Sequence, residues 1–343
     1  MQGYDPMKKY LLVPVICLLL ASTSHAQDVA EGVGFRLIQM QDPISLDTMN
    51  ATVFYPSEVK GGFSTKGLYQ IDATENSSIR PGSYPLVLLS HGSGGTMFGH
   101  HDMATFLAHR GFVVAAIEHP GDNSRDQRAR GTDRILIGRA HQLSGLLTHL
   151  LNNTDFRASI NPEKIVVAGF SAGGYTALLM VGAQPDFELL KGFCQRNPSD
   201  PGFCRGYPHP RIALSTPPLT TTADPRIRAA FAMAPIGILF NDAGLAKIKV
   251  PVFLYAAASD QVLIPSENAE RIRPMLHTLK DYRVIPNAGH FIFLAPCSPA
   301  QNSQIPDLCT DPPGVDRVEV HSKINNDALS FFRHVIDRED RSQ

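Results

Sequence analysis

Short, unbroken apolar runs alternate along this chain with longer stretches of helical spacing. Pro85 to Ser90, Phe112 to Ile117, Ile165 to Ala168, Ile227 to Met233, Val250 to Ala256 and Tyr282 to Ile285 carry almost no polar alternation. A strand of that kind is buried on both faces. Between them lie segments with apolar residues three and four apart: about His100 to Arg110, Ile135 to Leu151, Tyr175 to Val181, Ser266 to Leu279 and the amphipathic Ile324 to Ile336. These are predicted helices. Gly32 to Met40 and Ala51 to Tyr55 are predicted opening strands, Gly61 to Gly82 a polar surface excursion and Gly121 to Asp133 a charged loop. The alternation predicts an α/β fold, a mostly parallel sheet with helices on both faces. In such sheets a site forms beyond the carboxyl ends of the strands.

Two stretches break the rhythm. Gln184 to Pro225 is rich in proline, holds two cysteines and shows little periodicity, which predicts an irregular lid insertion at 184–225. At the start, Lys8-Lys9 precede an apolar core, Tyr10 to Ala21, followed by Ser22-Thr23-Ser24-His25-Ala26. Small residues at Ser24 and Ala26 place a cleavage site after Ala26, with Met7 a plausible start. Residues 1–26 therefore read as a secretory signal peptide, too short to span a membrane, and 27–343 as one catalytic domain. Cys17 lies inside the apolar run behind the bulky Ile16, which does not suit a lipoprotein signal. The expected location is periplasmic or secreted, with no integral membrane segment in the mature chain.

Export gives the cysteines meaning. Four remain after Cys17: Cys194, Cys204, Cys297 and Cys309. Four allow three connectivities, of which local pairing, Cys194 with Cys204 and Cys297 with Cys309, is the simplest in an oxidising compartment. Neither pair has zinc-ligand spacing, and no metal or cofactor is expected. Charge adds an exclusion: 31 basic against 32 acidic residues leave a net −1, which does not suit a nucleic-acid partner or an electrostatic membrane anchor. Oligomeric state is left open.

The chemistry centres on Gly169-Phe170-Ser171-Ala172-Gly173, set between an apolar strand and a helical run. A serine on a sharp strand-to-helix turn has its hydroxyl lifted clear of the sheet. The pentapeptide alone recurs by chance, so it needs partners. A serine nucleophile requires a histidine base, and the histidine a carboxylate; on this turn they follow in the order Ser, Asp, His. Asp260 falls at the end of Val252 to Ala256, and His290 follows the next strand. Asp242, Glu267 and His321 are weaker candidates. Backbone N–H groups of Ala172 and of Ser93, with Gly94 as fallback, would form the oxyanion hole. Gly92, Gly94, His119 and Phe291 would line the substrate, and His100-His101 read as helix surface or pocket lining.

These residues resemble the α/β-hydrolase superfamily, and within it the secreted dienelactone-hydrolase-like and platelet-activating-factor acetylhydrolase-like group. The resemblance rests on Tyr84 to Gly92, on Gly111 to Ala116 with His119-Pro120-Gly121-Asp122, on Gly169 to Gly174, and on Gly289-His290-Phe291 running to Cys297. It implies an α/β-hydrolase fold and hydrolysis of a small-molecule or lipid ester. Dienelactone hydrolases proper use a cysteine nucleophile, whereas position 171 is serine. The eukaryotic acetylhydrolases take their acid from an earlier strand end; here that strand, Ala229 to Pro235, ends without a carboxylate and Asp260 fills the role. Secreted polyester hydrolases carry Met after the serine and Trp in the cleft; this chain has Ala172 and no Trp. The readings that follow are a serine esterase, a phospholipase A2-like relative of the acetylhydrolases, or a non-catalytic binding protein on the same scaffold.

Overall fold

The apolar runs form the middle of a mixed sheet in the computed structural model, which describes residues 1, 31–153, 155–205, 212–221 and 223–340. The segment read as a signal peptide, with Cys17, lies outside the described residues apart from Met1. In chain order the strands are β1 (Gly32–Gln41), β2 (Thr48–Ser57), β3 (Phe63–Lys66), β4 (Tyr69–Asp72), β5 (Thr74–Glu75), β6 (Tyr84–Ser90), β7 (Val113–Glu118), β8 (Ile160–Phe170), β9 (Ile227–Met233), β10 (Val252–Ala257) and β11 (Leu279–Ile285). The helices are α1 (His101–His109), α2 (Asp133–Leu136), α3 (Gly138–Asn152), α4 (Ala172–Met180), α5 (Leu189–Arg196), α6 (Asp242–Leu245), α7 (Ala269–Ile272), α8 (Pro299–Gln304), α9 (Pro306–Cys309) and α10 (Arg317–Asp340).

Nine described strands pair in the order β11-β10-β9-β8-β6-β7-β2-β1-β5. Those from β6 to β11 are parallel to one another, while β2 runs antiparallel to both β7 and β1. The pleat sends neighbouring side chains to opposite layers. Leu88, Ala115 and Val167 pack with Leu143 and Leu147 of α3 and Leu178 of α4. Their neighbours Leu89, Val114 and Val166 pack with Leu107 of α1 and Phe332 of α10. The central stretches of these strands are therefore apolar at successive positions, which explains the unbroken runs.

The order also locates the site. From β6 the chain moves outward to β7, then returns to β8 on the other side of β6. This reversal opens a crevice beyond the carboxyl ends of β6 and β8.

Several expectations need correction. Gly61 to Gly82 holds the β3–β4 hairpin, and its β5 extends the sheet beside β1. The helix expected over Ile135 to Leu151 is two, α2 and α3, broken at Ile137 with φ −125° and ψ −44°. The one expected over Ser266 to Leu279 shrinks to α7 between two 3-10 turns. Pro274 lacks the N–H that a continuous helix needs there, and the Asn268 side chain turns away to accept the Gly237 N–H.

The segment 184–225 is not wholly irregular. Its α5 buries Leu190, Phe193 and Cys194 in the core layer shared with α4. Cys194 bonds to Cys204, and Cys297 to Cys309, the local connectivity. Farther along, Ser215 and Leu219 donate to the buried Asp133 carboxylate, while Arg196 pairs with Glu267.

Candidate active site

Ser171 sits where β8 ends and α4 begins, with φ 55° and ψ −119°. Holding a side-chain-bearing residue at positive φ costs about 1–3 kcal/mol, and the turn is kept by what surrounds it. The Ser171 N–H donates to the Met233 carbonyl at the end of β9, 2.8 Å away. A Cβ on Gly169 would lie 2.1 Å from the Gly173 carbonyl oxygen, and one on Gly173 would lie 1.9 Å from that of Ser90. Only glycine fits at either position.

β10 ends at Ala257, three residues before Asp260, and β11 ends at Ile285, ahead of a 3-10 turn opened by His290. The structure brings both side chains to Ser171. His290 Nδ1 is 2.6 Å from Asp260 Oδ2, and His290 Nε2 is 3.0 Å from Ser171 Oγ. The other Asp260 oxygen accepts the N–H groups of Val262 and Leu263 at 2.9 and 2.7 Å. That carboxylate only accepts, so the Nδ1 proton faces it and Nε2 is left to receive the serine proton. All three residues are buried, Ser171 8% exposed and His290 5%. Phe170 packs against the His290 ring with centroids 4.7 Å apart.

The loop after β6 meets the same point. A Cβ on Gly92 would lie 3.3 Å from Ser171 Cβ and 3.1 Å from the Phe170 ring. Gly92 is buried, and its role is this close approach. Among the described residues the Ser93 N–H has no acceptor, whereas the Gly94 N–H donates to Asp122 Oδ1 at 3.1 Å. That bond removes Gly94 as the fallback donor. Ala172 is the first residue of α4, so its N–H has no intrahelical partner.

Behind the loop lies a charged network. Asp122 Oδ1 also accepts the Ser93 hydroxyl, at 2.6 Å, while Oδ2 pairs with Arg139 of α3 at 2.8 Å. Arg139, its side chain 2% exposed, further donates to Ser90 Oγ and to the His91 carbonyl. His119 does not line an open surface, as its strand-end position predicts, but is fully buried. Its Nε2 meets Ser90 Oγ at 2.9 Å, its Nδ1 meets Gln142 Oε1 at 2.7 Å, and its backbone N–H donates to His91 Nε2. Burial, reinforced by the Arg139 charge, holds the His91 and His119 imidazoles well below the ordinary range, so both are neutral.

His100 and His101 are not on the helix surface. Both are buried, and burial lowers His100 to about 4. Its ring stands 5.6 Å from that of Phe170. Phe291 is half-buried beside His290. Val262 and Ile264 on the Asp260 loop are exposed, and so are Gln127 and Arg130, whose side-chain nitrogens would lie 2.9 and 3.3 Å from a Cβ on Gly94. The weaker candidates are elsewhere: Asp242 is exposed near His277, Glu267 pairs with Arg196, and His321 pairs with Asp102. A groove of about 580 Å³ between β11 and α10 holds none of the three central side chains.

Nothing in the sequence pattern marks Arg139. Asp122 does stand in the His119-Pro120-Gly121-Asp122 segment, the one available signal for that network. Among the described residues no cluster of three or more His, Cys, Asp or Glu could hold a metal ion, and no helix is long and apolar enough to cross a membrane.

A model of the alpha/beta hydrolase family matches residues 86–299. Among solved structures, the chain is similar to a ferulic acid esterase from Streptomyces cinnamoneus. The two share 18% identity and a TM-score of 0.62 over 91% of this chain and 92% of that one.

Proposed function

We propose that this chain, which belongs to the alpha/beta hydrolase family, is a secreted serine hydrolase of carboxylic esters. The observation that carries the reading is the unbroken hydrogen-bond chain from Ser171 Oγ through His290 to Asp260. In this reading Ser171 Oγ attacks the ester carbonyl carbon as His290 Nε2 takes its proton. The carbonyl oxygen gains the negative charge and is held by the N–H groups of Ala172 and Ser93. Collapse breaks the bond to the leaving alkoxide, which takes the proton back from His290. Water then repeats the sequence on the acyl-serine and releases the acid. Val262, Ile264 and Phe291 offer apolar contact beside the acid and base, which suits a hydrocarbon or aromatic portion of the ester.

The test is a panel of soluble esters run beside phospholipid micelles, with fluorophosphonate labelling as a control for the nucleophile. Labelling with turnover of soluble esters supports the reading, and turnover confined to micelles moves it to a phospholipase. A correctly folded protein that neither labels nor turns over overturns it in favour of a binding role. Asp260→Asn adds a sharper check. An asparagine can present its N–H to Nδ1 and favour the wrong tautomer, and kcat should fall on the order of ten-thousandfold with the fold intact.

The 184–225 segment is read as a lid over the substrate, stiffened by the Cys194–Cys204 bridge. Cys194→Ser, or mild reduction, is expected to change the ranking of esters in the panel more than the rate of fluorophosphonate labelling. An unchanged ranking would remove the lid role and leave α5 as a core helix.

A further inference from the structure

A second histidine–carboxylate pair ties down the turn that carries His290. His321 on α10 places Nδ1 2.6 Å from Asp102 Oδ2 on α1, and its Nε2 lies 2.8 Å from the carbonyl oxygen of Ile292. Ile292 is two residues beyond His290 in the same 3-10 turn and is fully buried. Asn325, one helical turn along α10, donates to the same Asp102 oxygen at 3.0 Å. On the other side, α1 follows directly from the segment that leaves the oxyanion loop, and the Ala295 N–H donates to the Gly99 carbonyl at 3.0 Å. The start of α1, the chain after His290 and the first turns of α10 thus meet at one ring.

That ring faces two acceptors. A carboxylate oxygen and a carbonyl oxygen both need a donor, and a neutral imidazole has only one N–H. His321 can satisfy both only as the imidazolium. Burial pulls His321 down, but the Asp102 charge and hydrogen bond outweigh it and raise the ring above the ordinary range. Burial pushes Asp102 up, yet the His321 charge and bond, with His101 and Asn325, hold it well below the usual carboxylate range. Arg317 on α10 opposes the His321 charge, and His100 and His101 face the pair from the start of α1. His290 differs in kind: one of its nitrogens faces a hydroxyl, which can donate, so that ring is satisfied while neutral.

We propose that His321, doubly protonated and anchored by Asp102, is a positioning residue that sets where His290 stands relative to Ser171. It rests on the hydrolase reading above and deepens it. His321 touches no reacting atom and acts through the backbone of Ile292. A base displaced by an ångström loses much of its effect on rate while substrate binding is little changed.

The experiment compares His321→Asn with His321→Gln on a soluble ester. Asparagine reaches Asp102 but not Ile292, and kcat is expected to fall on the order of ten- to a hundredfold with little change in KM. Glutamine places its amide near the lost Nε2 and should restore most of kcat. Asn325→Leu removes the other donor to Asp102, and should lower the unfolding midpoint but not kcat. In the unmodified protein at pH 7, ring-nitrogen NMR should show both nitrogens of His321 protonated. A folded His321→Asn variant with unchanged kcat overturns the proposal, as does a kcat loss in Asn325→Leu equal to that in His321→Asn. So does a single-tautomer NMR signature, which requires no variant. If the unmodified protein itself neither labels nor turns over esters, it is the hydrolase reading that has failed.

Discussion

Ser171→Ala is expected to lower kcat on an activated nitrophenyl ester by on the order of a millionfold, and to leave the unfolding midpoint unchanged. The hydroxyl is the only atom lost. The backbone of residue 171 keeps its N–H on Met233, and Ala172 and Ser93 still offer their N–H groups. A residual rate on the order of a thousand- to ten-thousandfold over water should persist, since binding and oxyanion donors act without the nucleophile. Fluorophosphonate labelling should vanish altogether. Measurable labelling or near-normal turnover in the variant would move the nucleophile elsewhere, and no other serine lies within hydrogen-bond reach of His290 among the described residues.

The second large effect is expected away from the reacting atoms. Asp122→Ala leaves the Arg139 guanidinium buried without its carboxylate, and breaking such a pair from one side typically costs about 3–5 kcal/mol. A fall in thermal midpoint on the order of 10 °C follows. The same change deprives the Ser93 hydroxyl and the Gly94 N–H of their shared acceptor. The loop after β6, proposed to hold the oxyanion, then loses its anchor, and kcat should fall by up to the hundred- to thousandfold typical of a lost oxyanion donor. Arg139→Met combined with Asp122→Leu is the informative companion. Exchanging a buried ion pair for apolar side chains is often neutral for stability, so the double variant should recover midpoint without recovering kcat. Recovery of both would reduce the network to scaffolding. A single Asp122→Ala variant with unchanged midpoint and turnover would remove it from the account altogether.

The central sheet was legible because it is buried on both faces. Runs such as Leu86 to Leu89 and Ile165 to Ala168 have no polar position to confuse with a helix, and the strand ends then located Ser171, Asp260 and His290. Legibility fails where tertiary partners decide. Charged and imidazole side chains ordinarily read as surface, yet Arg139 and Asp122 are buried because they face one another across 17 residues of sequence, and Asp102 meets His321 across 219. His119 reads as a pocket residue from its strand end, but the ring turns inward to Gln142 and Ser90. The helix expected over Ser266 to Leu279 carries suitable spacing, and Pro274 with the Asn268 side chain breaks it. Backbone chemistry at two residues outweighs the pattern of fourteen.

The two ends of the sheet bear on how the protein behaves in a crowded solution. An exposed strand edge is a template on which another chain can pair and aggregate. On one side β5 pairs with only Gly34 and Phe35, two of the ten residues of β1. On the other the described sheet stops at β11, where Lys280, Arg283 and Val284 are exposed and Asp281 is half-exposed. A charged strand must strip water from its side chains to recruit a partner. The long parallel core that aims Ser171, Asp260 and His290 is thus guarded at its β11 margin against edge-on stacking of one copy on the next.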